Sequence, residues 1–173
     1  MQQMQIEDLH LDTDAELLSS LSIFPAKLFE NVCMESISDD IVEALYAFAY
    51  SNYKIGKYHD TATLFRLLTG LRVRDSRFWK GLGSALQMLK NFEEAVEAYS
   101  WAAFLDEEQA DPHPHFHAAE CLHTLGQVGR GIKALDAAKI VASKNERKYM
   151  NLLQKIAFFR DAWSKSKKSK VKS

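Results

Sequence analysis

Glycine and proline are scarce, at 7 and 3 of 173 residues, and long stretches contain neither. That scarcity speaks against a chain of tight turns and for helices joined by short connections. Cysteine is rarer still. Cys33 and Cys121 cannot form a disulfide framework, and free thiols fit a reducing compartment. No apolar stretch approaches 18 residues, so no membrane-spanning segment is expected. The opening MQQMQIEDLHLDTDAE has no basic region leading into an apolar run, so no secretory signal is expected either. The net charge is −1, which argues against a general nucleic-acid binder. No nucleophile elbow, phosphate-binding loop or paired-carboxylate motif occurs, and Glu93-Glu94 and Glu107-Glu108 read as solvated helix charge. A soluble, cytoplasmic, non-enzymatic protein without a cofactor and without direct membrane binding is the expectation.

What is present is apolar residue, 47% of the chain, in helical spacing. The fold class predicted is all-α. Ser38-Asp39-Asp40 marks a helix start, with a serine oxygen able to cap free N–H groups and two carboxylates at the positive end of the helix dipole. From there the chain repeats itself. Gly56-Lys57-Tyr58 joins two helical patterns, Lys90-Asn91-Phe92 does so 34 residues later, and Gly126-Gln127-Val128 after a further 36. Paired helices at that period are the mark of tetratricopeptide repeats. Small residues fall where paired helices would cross: Ala49, Gly83 and Ala119 on the first helices, Thr61, Ala95 and Gly131 on the second. Phe65, Tyr99 and Leu135 fill the space beyond, and Ala102 and Ala138 permit stacking where Leu68 departs from the habit.

The organisation expected is a helical N-terminal extension over 1–37, three repeats over 38–145, a capping helix over 146–163 and a disordered Lys-rich tail over 164–173. Within the extension, two short amphipathic pieces, one with Leu17, Leu18 and Leu21 and one with Leu28, Phe29, Val32 and Cys33, expose more apolar surface than they can bury alone. They must dock on the body or on a second copy of the chain. The capping helix carries Tyr149, Leu152, Leu153, Ile156, Phe159 and Trp163 on one side, as an apolar stack end requires.

The helix pattern Ile41–Ile55 bears two apolar stripes. Leu45, Phe48, Ala49 and Asn52 share the face a partner helix would cover. Tyr46, Tyr50 and Tyr53 share a neighbouring face. A row of hydroxyl-bearing rings reads as a binding surface, and the competing reading is core covered by the N-terminal pieces. His113, His115 and His117, with Cys121 and His123, invite a metal reading, but no four-ligand spacing emerges and Pro114 would splay the histidines. Both cysteines read as small buried hydrophobes.

The strings around Gly56-Lys57-Tyr58, Asp75-Ser76-Arg77-Phe78, Gly81-Leu82-Gly83 and Phe116-His117-Ala118-Ala119-Glu120-Cys121 resemble the class II chaperones of bacterial type III secretion, which serve translocator proteins. The resemblance covers about 35 to 145 well and the Lys-rich tail not at all. It implies a concave groove that holds an extended segment of a pore-forming translocator, with homodimers through the N-terminal helices. It also implies that Tyr46, Tyr50 and Tyr53 line pockets of that groove. By position in the repeat, Lys54, Ser84, Gln87, Met88, Phe116, His117, Glu120 and His123 should face the same concavity. The alternatives are a tetratricopeptide adaptor, or a secretion-linked regulator that scaffolds another protein. Tyr46 and Tyr50 stand where an adaptor for acidic C-termini needs Lys and Asn.

Overall fold

The computed structural model describes residues 37–106 and 111–170, with side chains up to 165. The N-terminal pieces and Cys33 lie outside the described residues. Among those described, the helices are α1 (Asp39–Lys54), α2 (Tyr58–Leu71), α3 (Ser76–Met88), α4 (Phe92–Leu105), α5 (His113–Thr124), α6 (Val128–Ala142) and α7 (Glu146–Lys170), with a 3-10 turn at Ser143–Asn145 before the last. Each helix packs chiefly on the one before and the one after it. The result is a stack of antiparallel helix pairs, α1–α2, α3–α4 and α5–α6.

Within each pair the connection follows one pattern. Lys57 N donates to Asn52 O at 2.9 Å and Gly56 N to Tyr53 O at 3.1 Å. Asn91 and Lys90 repeat this on Leu86 and Gln87, and Gln127 and Gly126 on Leu122 and His123. This pair of bonds satisfies the last carbonyls of a helix through a left-handed residue. That residue is Gly56 at φ 80° and Gly126 at φ 75°, but Lys90 at φ 63° in the middle pair.

Small residues sit at the crossings. Ala49, Ala95 and Ala119 are fully buried, as are Thr61, Leu68, Ala102 and Ala138. A methyl on Gly83 would lie 2.8 Å from the Tyr99 ring. Gly81, which spacing did not single out, is held still more tightly against the ring of Phe65. The buried Thr61 hydroxyl donates to Lys57 O at 2.8 Å, so the crossing carries no unpaired polar atom. Trp79 anchors the middle pair: it is fully buried, donates from Nε1 to Val73 O at 2.7 Å and stacks on Trp101.

Three local expectations change. Ser38 precedes α1, but its side chain makes no cap bond. The chain is instead held there by Arg72, which donates to Ile37 O and to the Asp39 carboxylate, both at 2.8 Å. Phe48, assigned to the covered stripe, is 57% exposed, because α2 takes Val42, Ala49 and Asn52 and leaves the flank open. The last helix does not stop at 163: it continues to Lys170, well into the stretch assigned to a disordered tail. Tyr149, near its start, has non-helical angles (φ −110°, ψ 17°), so the helix bends there.

Candidate peptide-binding face

The first helices of the pairs lie side by side. Tyr46 on α1 meets Phe78 on α3 at 5.6 Å, and Tyr99 on α4 lies beneath His117 on α5, ring on ring at 5.6 Å. Helix α7 takes the next place in this layer. Its Tyr149, Phe159 and Trp163 contact His113, Phe116 and His123 of α5. These contacts, with Tyr99 of α4 bridging α3 and α5, link α1, α3, α5 and α7 in order.

The three tyrosines differ. Tyr46 is half-buried, edge-on to Phe65 at 6.1 Å, with the Arg77 guanidinium 5.3 Å from its ring. Tyr53 is half-buried against Tyr58, and burial together with the Tyr58 hydroxyl pushes its phenol pKa up. Tyr50 alone stands open, 52% exposed, with Lys54 Nζ 5.4 Å from its ring. The cover over Tyr46 and Tyr53 among the described residues comes from α2 and α3. The stripe is thus a stepped wall, two rings seated in the body and one projecting.

Further along, Tyr99 is the hub that spacing missed. Its hydroxyl donates to Gln87 Oε1 at 2.8 Å and lies 3.3 Å from Ser84 Oγ, which itself donates to Lys80 O. Burial pushes the Tyr99 phenol well above its ordinary value, so it remains a donor at any physiological pH. Holding Gln87 by its oxygen leaves the Gln87 amide N–H groups directed to other acceptors. The signal was available: a hydroxyl stands where the flanking repeats have Phe65 and Leu135. Met88 is exposed beside Gln87.

On α5, His117 Nδ1 contacts Glu120 Oε2 at 2.9 Å. Pro114 does not splay the histidines. With proline in the first turn of α5, His113 and His117 lie one turn apart and stack at 6.2 Å, while His115 faces away, half-buried. Asp111 receives His113 Nδ1 at 2.6 Å and Lys80 Nζ at 2.8 Å. Burial works to raise the Asp111 pKa, but the bonds from His113 and Lys80 outweigh it and hold the carboxyl below the usual range. Among the described residues no three His, Cys, Asp or Glu side chains converge as a metal would need. Cys121 is fully buried, and burial pushes its thiol up to about 12, the behaviour of a packing residue. Phe116 is only 5% exposed, so its ring forms floor and not rim. It lines an open hollow of about 600 Å³ between α5 and α7.

The tetratricopeptide repeat model matches residues 42–74 and 76–109. Low calcium response locus protein H of Yersinia pestis is 36% identical over 119 residues, 68% of this chain and 70% of that protein. The chain belongs to the family of low calcium response locus protein H. Among solved structures, the Yersinia enterocolitica type III secretion chaperone SycD in complex with a peptide of the translocator YopD superposes with a TM-score of 0.71. The identity is 32%, with 76% of this chain and 98% of that one covered. SycD has also been crystallised as an alternative dimer. Pseudomonas aeruginosa PcrH, in complex with the chaperone-binding region of PopD, gives a TM-score of 0.72 at 30% identity, covering 76% of this chain and 97% of that one. Family membership accounts for the stack of paired helices.

Proposed function

We propose that this chain is a type III secretion chaperone that holds an extended segment of a pore-forming translocator along its first-helix face, in the bacterial cytoplasm, and keeps it soluble before export. The reading is supported above all by the stepped tyrosine wall beside the Gln87–Tyr99–Ser84 cluster, on a fold shared with relatives solved around translocator segments. Apolar membrane-directed segments aggregate in water unless covered. Tyr50 and the ring of Tyr46 offer apolar surface with little rotamer entropy to lose. Gln87 and Lys54 supply hydrogen bonds for peptide main chain. Nothing in this holding action requires a covalent step. Homodimers through residues 1–37 are part of the same proposal, in line with the dimer seen for SycD.

Co-expression with the cognate translocator, followed by affinity purification, tests it. The wild-type chain should retain the translocator. Tyr46→Ala with Tyr50→Ala should keep its helical circular dichroism and weaken binding more than tenfold, the scale of losing buried aromatic anchors worth about 2 kcal/mol or more. Unchanged affinity in the folded double variant refutes the proposal.

A further inference from the structure

The last helix is built as more than a lid. A helix that only closes a stack hides one apolar side and turns charge outward. Helix α7 does hide Tyr149, Leu152, Ile156 and Trp163. The side it turns to the open hollow is different. Asn151, Gln154 and Phe158 follow one another there at helical spacing, and Phe158 is 69% exposed. Behind them, Phe159 is pinned between Phe116 at 6.0 Å and Trp163 at 5.5 Å. Asp161 and Lys165 continue the same stripe toward the C-terminus, paired to each other, while Arg160 turns away to Asp136.

We infer that the hollow between α5 and α7 is a second anchor site, which takes an aliphatic or aromatic side chain of the client's extended segment. The inference rests on the proposed chaperone reading and extends its interface by one helix. The floor is apolar: Phe116 and Phe159, with Phe158 able to close over an inserted side chain by rotating about its own bonds. The rim is neutral. Asn151 and Gln154 each present one acceptor and two donors, the set that a peptide main chain needs. Glu120 and Lys155 contribute one charge of each sign, so the site has no preference for phosphate or carboxylate. Its volume of about 600 Å³ lies in the range of small-ligand pockets and accepts one large side chain with its flanking peptide groups. The hollow is continuous with the face formed by α1, α3 and α5, through Phe116 and the His117–Glu120 pair.

Two measurements on the full chain decide it. The first uses N-acetyl-phenylalanine methylamide and N-acetyl-leucine methylamide as probes, followed by the side-chain amide resonances of Asn151 and Gln154. Saturable shifts that vanish in Phe158→Asp are expected, and shifts that never saturate or survive in the variant overturn the site. The second compares translocator affinity across variants. Phe158→Asp and the double change Asn151→Ala with Gln154→Ala should each weaken binding five- to twentyfold, while melting temperature holds because all three residues face solvent. If the tyrosine double variant loses the translocator and the α7 variants do not, the second anchor is refuted and the chaperone reading stands. If neither set matters, both fall.

Discussion

Helices α1 and α3 hold equivalent places in consecutive repeats, yet they present different surfaces. Helix α3 buries Phe78, Trp79, Leu82, Gly83, Ala85 and Leu86 over 13 residues. Helix α1 buries Val42, Ala49 and Asn52 over 16, and leaves Ile41, Phe48 and Tyr50 exposed. The middle repeat is a keel gripped from both sides by its neighbours. The first helix of the first repeat leaves several of its large apolar residues on the described surface. Buried apolar area stabilises the stack, and exposed apolar area contributes nothing until something covers it. On the proposed reading, helix α3 serves stability and helix α1 recognition, two copies of one motif put to different uses.

The contrast can be broken most severely at Trp79. Trp79→Ala should destabilise by about 3–5 kcal/mol, since it removes the largest side chain of the core and orphans Val73 O. Urea unfolding followed by circular dichroism reads the loss. A cost under about 1 kcal/mol would show that the middle repeat is no keel. The turn of the middle repeat offers a gain. Lys90 occupies the left-handed position that Gly56 and Gly126 hold elsewhere, so Lys90→Gly should stabilise by about 1 kcal/mol. A fall in the urea midpoint would contradict this. The smallest effect belongs to the first repeat. Phe48→Ser should leave unfolding within about 0.5 kcal/mol of wild type, because the ring has little to lose on the described surface. A loss comparable to that at Trp79 would mean that Phe48 is covered in solution and that the contrast is false.

The repeats were legible because they obey local rules. The turn residues at Gly56, Lys90 and Gly126 and the small residues Ala49, Gly83 and Ala119 follow from backbone angles and helix spacing, and both are written residue by residue. Phe48 was assigned to the wrong stripe because faces separated by a fraction of a turn are divided only by where α2 lies. Tyr99 was read as filler because its partners, Gln87, Ser84 and His117, come from two other helices. The same holds for Phe116. Position in the repeat puts it on the concave face, and α7 then covers it.

Composition and periodicity alone decided that this chain is all helix, where its turns fall and which residues let helices cross, since each of these depends on atoms only a few positions apart. Which rings stand open, which ring joins two repeats and which face the last helix offers were decided by stacking. Exposure is a property of neighbours distant along the chain, and only the packed stack brings those neighbours together.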